Sequence, residues 1–157
     1  MGRTAKVQQP DVPREAVKEV TRFAASYRER KLRIEYFPLR RPSFMRRLEV
    51  SVEGYAESGL IGYDREHTAL LHEDDQAFIH QYEEDMRIVY FLEAGVASLR
   101  KGRIRNIGQW LLLEGWKVAD ISQEVGLCIS YTYAECYKAK CFVAEFIDKN
   151  RKEYGHE

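Results

Sequence analysis

Three cysteines are the first candidates for chemistry in this chain. Cys128, Cys136 and Cys141 follow the spacing of neither paired zinc ligands nor a disulfide framework, and their number is odd. None has an adjacent histidine that could turn it into a nucleophile. We therefore interpret all three as reduced thiols that fill a packed core.

The histidines are the second candidates. His67, His72 and His80 lie near an acidic run at residues 73–75, and His80 with Glu84 has the i, i+4 spacing that a helix can offer to a metal. No second pair with ligand spacing accompanies them. We predict no metal site and interpret the acidic run as the start of a helix, where negative charge is favoured.

Sequence motifs of common enzyme classes are absent. The chain has no phosphate-binding Gly-Lys-Ser/Thr loop, no Gly-x-Ser-x-Gly turn and no glycine triplet for a dinucleotide. We expect a protein that is not an enzyme and has no cofactor.

Composition sets the frame for the remaining candidates. The 157 residues are 45% apolar and 32% charged, which is typical of one soluble globular domain. No apolar run is long enough to span a membrane and no secretion signal is visible, so we expect no membrane partner and a cytoplasmic location. Residues 1–48 hold 13 basic and 5 acidic residues, whereas residues 49–93 hold 2 and 12. This asymmetry favours a polyanion as partner of the basic part, although solvated surfaces alone would also explain it.

The N-terminal third contains all four prolines, the last of them at residue 42. Apolar residues at three- and four-residue spacing predict a short, basic amphipathic helix that starts at Pro13. Residues 35–64 look irregular, apart from a strand-like alternation at residues 48–52. We predict a basic N-terminal helix plus an irregular linker over residues 1–64.

Residues 65–157 are predicted to form a helical domain. A helix from about Glu73 has a stripe formed by Ile79, Tyr82, Met86 and Val89, and Gly95 and Gly102 should limit its length. Two shorter helices are expected at residues 104–114 and 118–125, ending at Gly115 and Gly126, and a long one at residues 130–149. The predicted fold class is mainly α, a helical bundle ending in a helix-turn-helix over residues 104–149.

The last helices fit the helix-turn-helix pattern. Ile121 and Val125 should face the core, Gly126 should supply the left-handed turn, Leu127 should fill the corner, and the Ser130 hydroxyl should cap the next helix. Thr132 and Cys136 should face inward. The residues expected to face DNA bases are Ser130, Tyr131, Tyr133, Ala134, Tyr137 and Lys138. Candidates for phosphate contacts are Arg103, Arg105, Lys117, Lys140 and Lys149.

Residues 104–147 resemble the promoter-binding domain at the C-terminus of bacterial sigma factors. The resemblance rests on a helix followed by Glu-Gly-Trp-Lys, then Val-Ala-Asp-Ile-Ser-Gln-Glu-Val-Gly-Leu and a long lysine-bearing helix. In layout the whole chain is similar to small phage-encoded transcription regulators of the ArpU and RinA type. This resemblance implies activation of phage or mobile-element genes, with RNA polymerase as a partner.

A second basic segment lies near the N-terminus, where aromatic residues are interleaved with arginines. It could track a nucleic-acid backbone, or it could bind an acidic protein surface such as the middle helix of this chain. The accessory contacts it would supply are Arg28, Arg30, Lys31, Arg33, Arg40, Arg41, Arg46 and Arg47.

These patterns favour a sequence-specific regulator of transcription that binds double-stranded DNA, with a homodimer among the expected assemblies. Two alternatives stay open. A tyrosine-rich exposed helix also suits an adaptor or anti-repressor that binds another protein, since aromatic residues are enriched at protein interfaces. A DNA-packaging adaptor such as a small terminase subunit also carries a helix-turn-helix.

Overall fold

A computed structural model describes residues 8–40 and 73–153. Five α-helices occur there and no strand, so the mainly-α fold class is confirmed. The strand-like segment at residues 48–52 lies outside the described residues. The helices are α1 (Arg14–Arg40), α2 (Glu73–Ala97), α3 (Arg103–Gly108), α4 (Val118–Val125) and α5 (Ile129–Glu153), and a π-helical turn (Gln109–Leu113) continues α3.

The described residues form two compact units. The first contains the described residues up to Arg28 and those from Ile88 onward, and the second contains those between Glu29 and Arg87. Helices α1 and α2 each contribute to both units. The predicted boundary near residue 64 lies outside the described residues and stays a prediction. No helix in the described ranges is long and apolar enough to cross a membrane.

In the second unit, α1 is longer than the short helix expected from the sequence. It continues past Glu35 and through Pro38 to Arg40, although irregular structure was predicted from residue 35. Pro38 removes only one backbone donor near the helix end, where few hydrogen bonds remain to be lost. Phe37 is buried and its ring stacks on that of Tyr82 in α2, with 4.4 Å between the ring centroids. This packing favours the longer helix.

The buried stripe of α2 differs from the predicted one at two positions, since Tyr82 is only half-buried and Met86 is exposed. Ile79 and Val89 are buried as expected, but Met86 is 43% exposed and the preceding residue, Asp85, is buried instead. Asp85 lies three residues before Ile88 and seven before Leu92, both buried, so it lies on their side of the helix. The prediction that Met86 is buried was wrong. The sequence pattern assigned the buried stripe to apolar residues and therefore left out the charged Asp85.

The first unit joins the start of α1, the end of α2 and α5. Arg151 near the end of α5 donates to Glu19 of α1 at 2.6 Å, and its guanidinium lies over the rings of Phe23 and Phe91. Tyr27 of α1 donates its hydroxyl proton to Glu93 of α2 at 2.6 Å. Charged groups thus connect all three helices at the edge of an apolar core.

Gly95 does not end α2, as the sequence suggested, but lies inside it and is buried. A methyl group added there would come within 2.9 Å of a methyl carbon of Val143 in α5. The absence of a side chain therefore allows α2 and α5 to approach each other closely.

Helices α3, α4 and α5 enclose a small apolar core. Ile107, Ile121, Cys136 and Ala139 form its buried centre, with one residue from α3, one from α4 and two from α5. The indole rings of Trp110 and Trp116 pack against this centre and stack on each other at 4.9 Å between centroids. Both tryptophans thus have a structural role in this core. This core packs α5 against the two helices before it.

Candidate nucleic-acid interface

The connection between α4 and α5 contains the left-handed turn predicted at Gly126. Helix α4 spans Val118–Val125 as expected, and Gly126 has a left-handed φ of 70°. Only glycine adopts this φ without a steric cost from a Cβ atom. The Ser122 hydroxyl donates to the Leu127 carbonyl at 2.6 Å, and the Leu127 amide donates back to the Ser122 carbonyl at 3.3 Å. These bonds close the turn.

Helix α5 begins one residue earlier than predicted. The Cys128 carbonyl accepts the first helical hydrogen bond, from the Thr132 amide at 3.0 Å, and α5 begins at Ile129. Ser130 is therefore already inside the first turn and does not occupy the capping position. The prediction that its hydroxyl caps the helix was wrong, and Ser130 is exposed.

The first three turns of α5 separate inward from outward residues as predicted. Thr132 and Cys136 are buried, and the Thr132 hydroxyl donates to the Cys128 carbonyl at 2.9 Å. We call the opposite side the outer face. It consists of the exposed residues Ser130, Tyr131, Tyr133, Ala134 and Tyr137, together with half-buried Lys138.

The outer face has a low centre and two raised edges. Ser130 and Ala134 are four residues apart and form a central row of small side chains. Tyr133 and Tyr137, with the same spacing, form the row on one side. Tyr131 lies on the other side, together with Lys138 seven residues later. A helix with this profile can bring its backbone close to the floor of a groove while the aromatic rings contact the walls.

Lys138 is held by a neighbouring carboxylate. Its ammonium group lies 3.5 Å from an oxygen of Glu135, which is itself buried, and the Lys138 side chain is 24% exposed. Of the residues predicted to face bases, Lys138 is thus the one least available to a ligand.

The predicted phosphate contacts do not form one surface. Arg103, Lys117 and Lys149 are exposed and Lys140 is half-buried. Lys149 lies about 28 Å along the helix axis from Ser130, since α-helices rise about 1.5 Å per residue, and it pairs with Glu145 at 3.3 Å. Arg105 donates to the carbonyls of Leu99 and Ala97 at 2.6–2.9 Å and so caps the end of α2.

The predicted accessory contacts divide in a similar way. Arg28 and Lys31 are exposed on α1, whereas Arg30 and Arg33 both bind the carboxylate of Asp85 in α2, at 2.8 and 2.9 Å. The alternative that these arginines bind the acidic middle helix is therefore observed for these two. The Arg40 side chain and all of Arg41, Arg46 and Arg47 lie outside the described residues.

Two of the three cysteines are buried and one is exposed. Cys136 and Cys141 are buried, but Cys128 is exposed in the turn before α5, so the prediction of three core thiols was wrong for Cys128. Burial raises the pKa of both buried thiols. His80 is exposed on α2, His67 and His72 lie outside the described residues, and the described side chains contain no cluster of three or more metal ligands.

One exposed apolar residue was missed in the sequence. Ile129 is 50% exposed and lies one helical turn before Tyr133, on the same side of α5. Its i, i+4 relation to Tyr133 is the signal that would have found it.

Comparison with protein-family models, curated proteins and solved structures returned no match.

Proposed function

We propose that this chain is a sequence-specific DNA-binding protein that inserts the start of α5 into the major groove. The observation that carries the proposal is the outer face of α5. It combines exposed aromatic edges and a small-residue centre with a rigid support, since α5 packs on α3 and α4 through the buried centre at Ile107, Ile121, Cys136 and Ala139. A major groove about 12 Å wide admits a helix presented in this way.

Charge supports the same proposal. Residues 100–153 carry ten basic and seven acidic side chains. Arg103 and Lys117 are exposed at the first residue of α3 and just before α4, and basic side chains of this kind can contact phosphates. Arg105 and Lys149 are left out of this contact set because of their other partners.

The biological output follows from the resemblance to sigma-factor promoter-binding domains and to ArpU- and RinA-type regulators. We propose regulation of transcription, with RNA polymerase as the partner of DNA-bound protein. If a second copy of the chain binds alongside, the target should consist of two half-sites about 34 Å apart. Mass measurement of the purified protein and of its DNA complex checks this assembly, and a large ring would instead favour the packaging adaptor.

The direct test is selection of bound fragments from the genomic DNA of the source organism. The purified full chain is mixed with fragmented DNA at physiological salt with excess nonspecific competitor, and retained fragments are sequenced. We expect enrichment of one or a few promoter-proximal sites. Recovery of no fragment above background contradicts the proposal.

A protein-binding adaptor is the second candidate, and one observation favours it. Ile129, Tyr131, Tyr133 and Tyr137 give the start of α5 four large exposed apolar side chains, which is typical of a protein interface. This candidate predicts a stable complex with another regulator and no retained DNA, so the same selection separates the two.

A further inference from the structure

The outer face of α5 lacks the side chains that usually distinguish guanine and adenine. Arginine pairs bidentately with guanine, and asparagine or glutamine with adenine. None of these residue types occurs between Ile129 and Lys138. Lys138 is the one cation of the outer face, and its ammonium lies 3.5 Å from the buried Glu135 carboxylate.

The hydroxyl groups of the outer face carry little base information. Serine and tyrosine hydroxyls rotate and can act as donor or acceptor, so each can bond to several base edges. The side chains that remain are apolar in character: the methyl group of Ala134 and the exposed rings of Tyr133 and Tyr137.

Only one base offers an apolar group in the major groove, which is thymine with its C5 methyl. Ala134 lies in the low centre of the outer face, where a base edge can approach closely, and Tyr133 and Tyr137 border it along one side. A thymine methyl placed beside Ala134 would thus be enclosed between a methyl group and two aromatic rings.

We infer that α5 selects its DNA site by enclosing thymine methyl groups with Ala134, Tyr133 and Tyr137. This inference rests on the proposed function, because it concerns how the same face recognises DNA. It assigns specificity to apolar contact and shape, with phosphate contacts supplying the sequence-independent part of the affinity.

The test replaces thymine by deoxyuracil in the fragment obtained by selection. This change removes only the methyl group and keeps base pairing and phosphate charge. We expect the affinity of the full chain to fall about fourfold for each enclosed methyl, the value that corresponds to burying one methylene-sized group. Single replacements along the site locate the contacted thymines.

A second measurement assigns the effect to the tyrosines. Tyr133→Ala should weaken binding to thymine-containing DNA several-fold and have a smaller effect on the deoxyuracil form, since the lost contact is already absent there. Tyr90→Ala is the matched control, because Tyr90 is also about half exposed but lies on α2. It should leave both affinities unchanged.

The outcomes are distinct for the two proposals. Equal affinity for thymine and deoxyuracil DNA at every position, with binding retained, overturns the inference and leaves the proposed function standing. An equal loss for Tyr133→Ala on both DNA forms overturns the assignment to that ring. If no DNA is retained at all, the proposed function fails and the inference fails with it.

Discussion

Asp85 is a buried carboxylate that accepts hydrogen bonds from three side chains. Arg30 and Arg33 of α1 donate to it at 2.8–2.9 Å, and Gln81 donates from one turn earlier in α2. Two cations on one helix thus share a single anion on the other. The carboxylate makes the contact between the two segments of the second unit specific, whereas the stacked rings of Phe37 and Tyr82 contribute apolar area.

Removal of this carboxylate should destabilise the protein. Asp85→Ala leaves two arginines without their shared partner, and we expect a loss of about 2–3 kcal/mol in the free energy of unfolding, measured with urea. Glu84→Ala is the matched control, because the neighbouring Glu84 is exposed, and it should change stability by less than about 0.5 kcal/mol. Equal effects of the two substitutions would contradict this role for Asp85.

The same residue gives a pH dependence of known sign. Burial alone would raise the Asp85 pKa, but hydrogen bonds from Arg33 and Gln81 and the charge of Arg33 outweigh it, so the folded pKa lies below the ordinary 3.8. Stabilisation by Asp85 is therefore present above pH 3.8 and is lost as the pH falls through the lower folded value. We expect the stability difference between the parent and Asp85→Asn to shrink in that acidic range. A difference that is constant down to the lowest pH would refute the assignment.

Thiol accessibility provides a further residue-scale prediction. At neutral pH a thiol reagent should label Cys128 rapidly in the folded protein, since it is exposed, and should spare Cys136 and Cys141, which are buried and have a raised pKa. Mass spectrometry before and after denaturation should show one label and then three. Rapid triple labelling without denaturant would contradict the described packing.

At this scale, spacing predicted the inward residues Thr132 and Cys136 because they are four residues apart in a helix. It could not predict a buried Asp85. The partners that make its burial favourable lie more than 50 positions away in the chain, at Arg30 and Arg33. It also gave Ser130 a capping role, although a carbonyl one position before α5, at Cys128, begins the helical hydrogen bonds.

Gly95 governs the distance between α2 and α5. Gly95→Ala would gain up to about 1 kcal/mol of helix propensity, but its methyl group would lie 2.9 Å from Val143. We expect the overpacking to dominate, with a net loss of about 1–3 kcal/mol in urea unfolding.

The partner substitution tests whether the contact is responsible. Val143→Ala should destabilise on its own by removing buried methyl groups. The double variant should lose less stability than the sum of the two single losses, because the space left by the Val143 side chain accepts the new methyl group. Strict additivity would show that Gly95 and Val143 do not limit each other.

Element boundaries were predictable where a glycine with a left-handed φ marks them. Helix α4 spans the predicted residues and is followed by Gly126, and Gly115 follows the π-helical turn with a φ of 71°. The extension of α1 to Arg40 was not predictable from local signals. Pro38 indicates a helix end locally, whereas the contact of Phe37 with Tyr82 in α2 is a tertiary effect.

On the scale of the whole molecule, the mainly-α fold class followed from the sequence, and the chemistry of the outer face did not. Periodicity identifies which side of a helix is exposed, but it does not state which ligand the exposed side binds. The charge asymmetry likewise led to an overestimate of the basic surface available to a ligand. Arg30 and Arg33 bind Asp85 in the acidic helix α2 of the same chain.

Salt dependence measures how many cations remain for DNA. If the protein neutralises about four to six phosphates, log K should fall with log salt concentration at a slope of about −4 to −5. Fluorescence anisotropy on the selected fragment at several salt concentrations gives this slope. A flat response would be incompatible with phosphate contacts from Arg103, Lys117 and Lys140.

The central claim is that DNA contacts the outer face of α5, and a charge placed at its centre tests this most directly. Ala134→Glu introduces a carboxylate in the row of small residues, and Ala77→Glu introduces the same group at an exposed position near the start of the acidic α2. Both variants should keep the helical circular dichroism of the parent.

The measurement is the affinity of the three proteins for the selected fragment at one salt concentration. We predict that Ala134→Glu loses at least about tenfold, since a buried carboxylate facing DNA costs more than about 1.4 kcal/mol, and that Ala77→Glu binds like the parent. Parental affinity of a folded Ala134→Glu protein would contradict the claim that this face enters the groove.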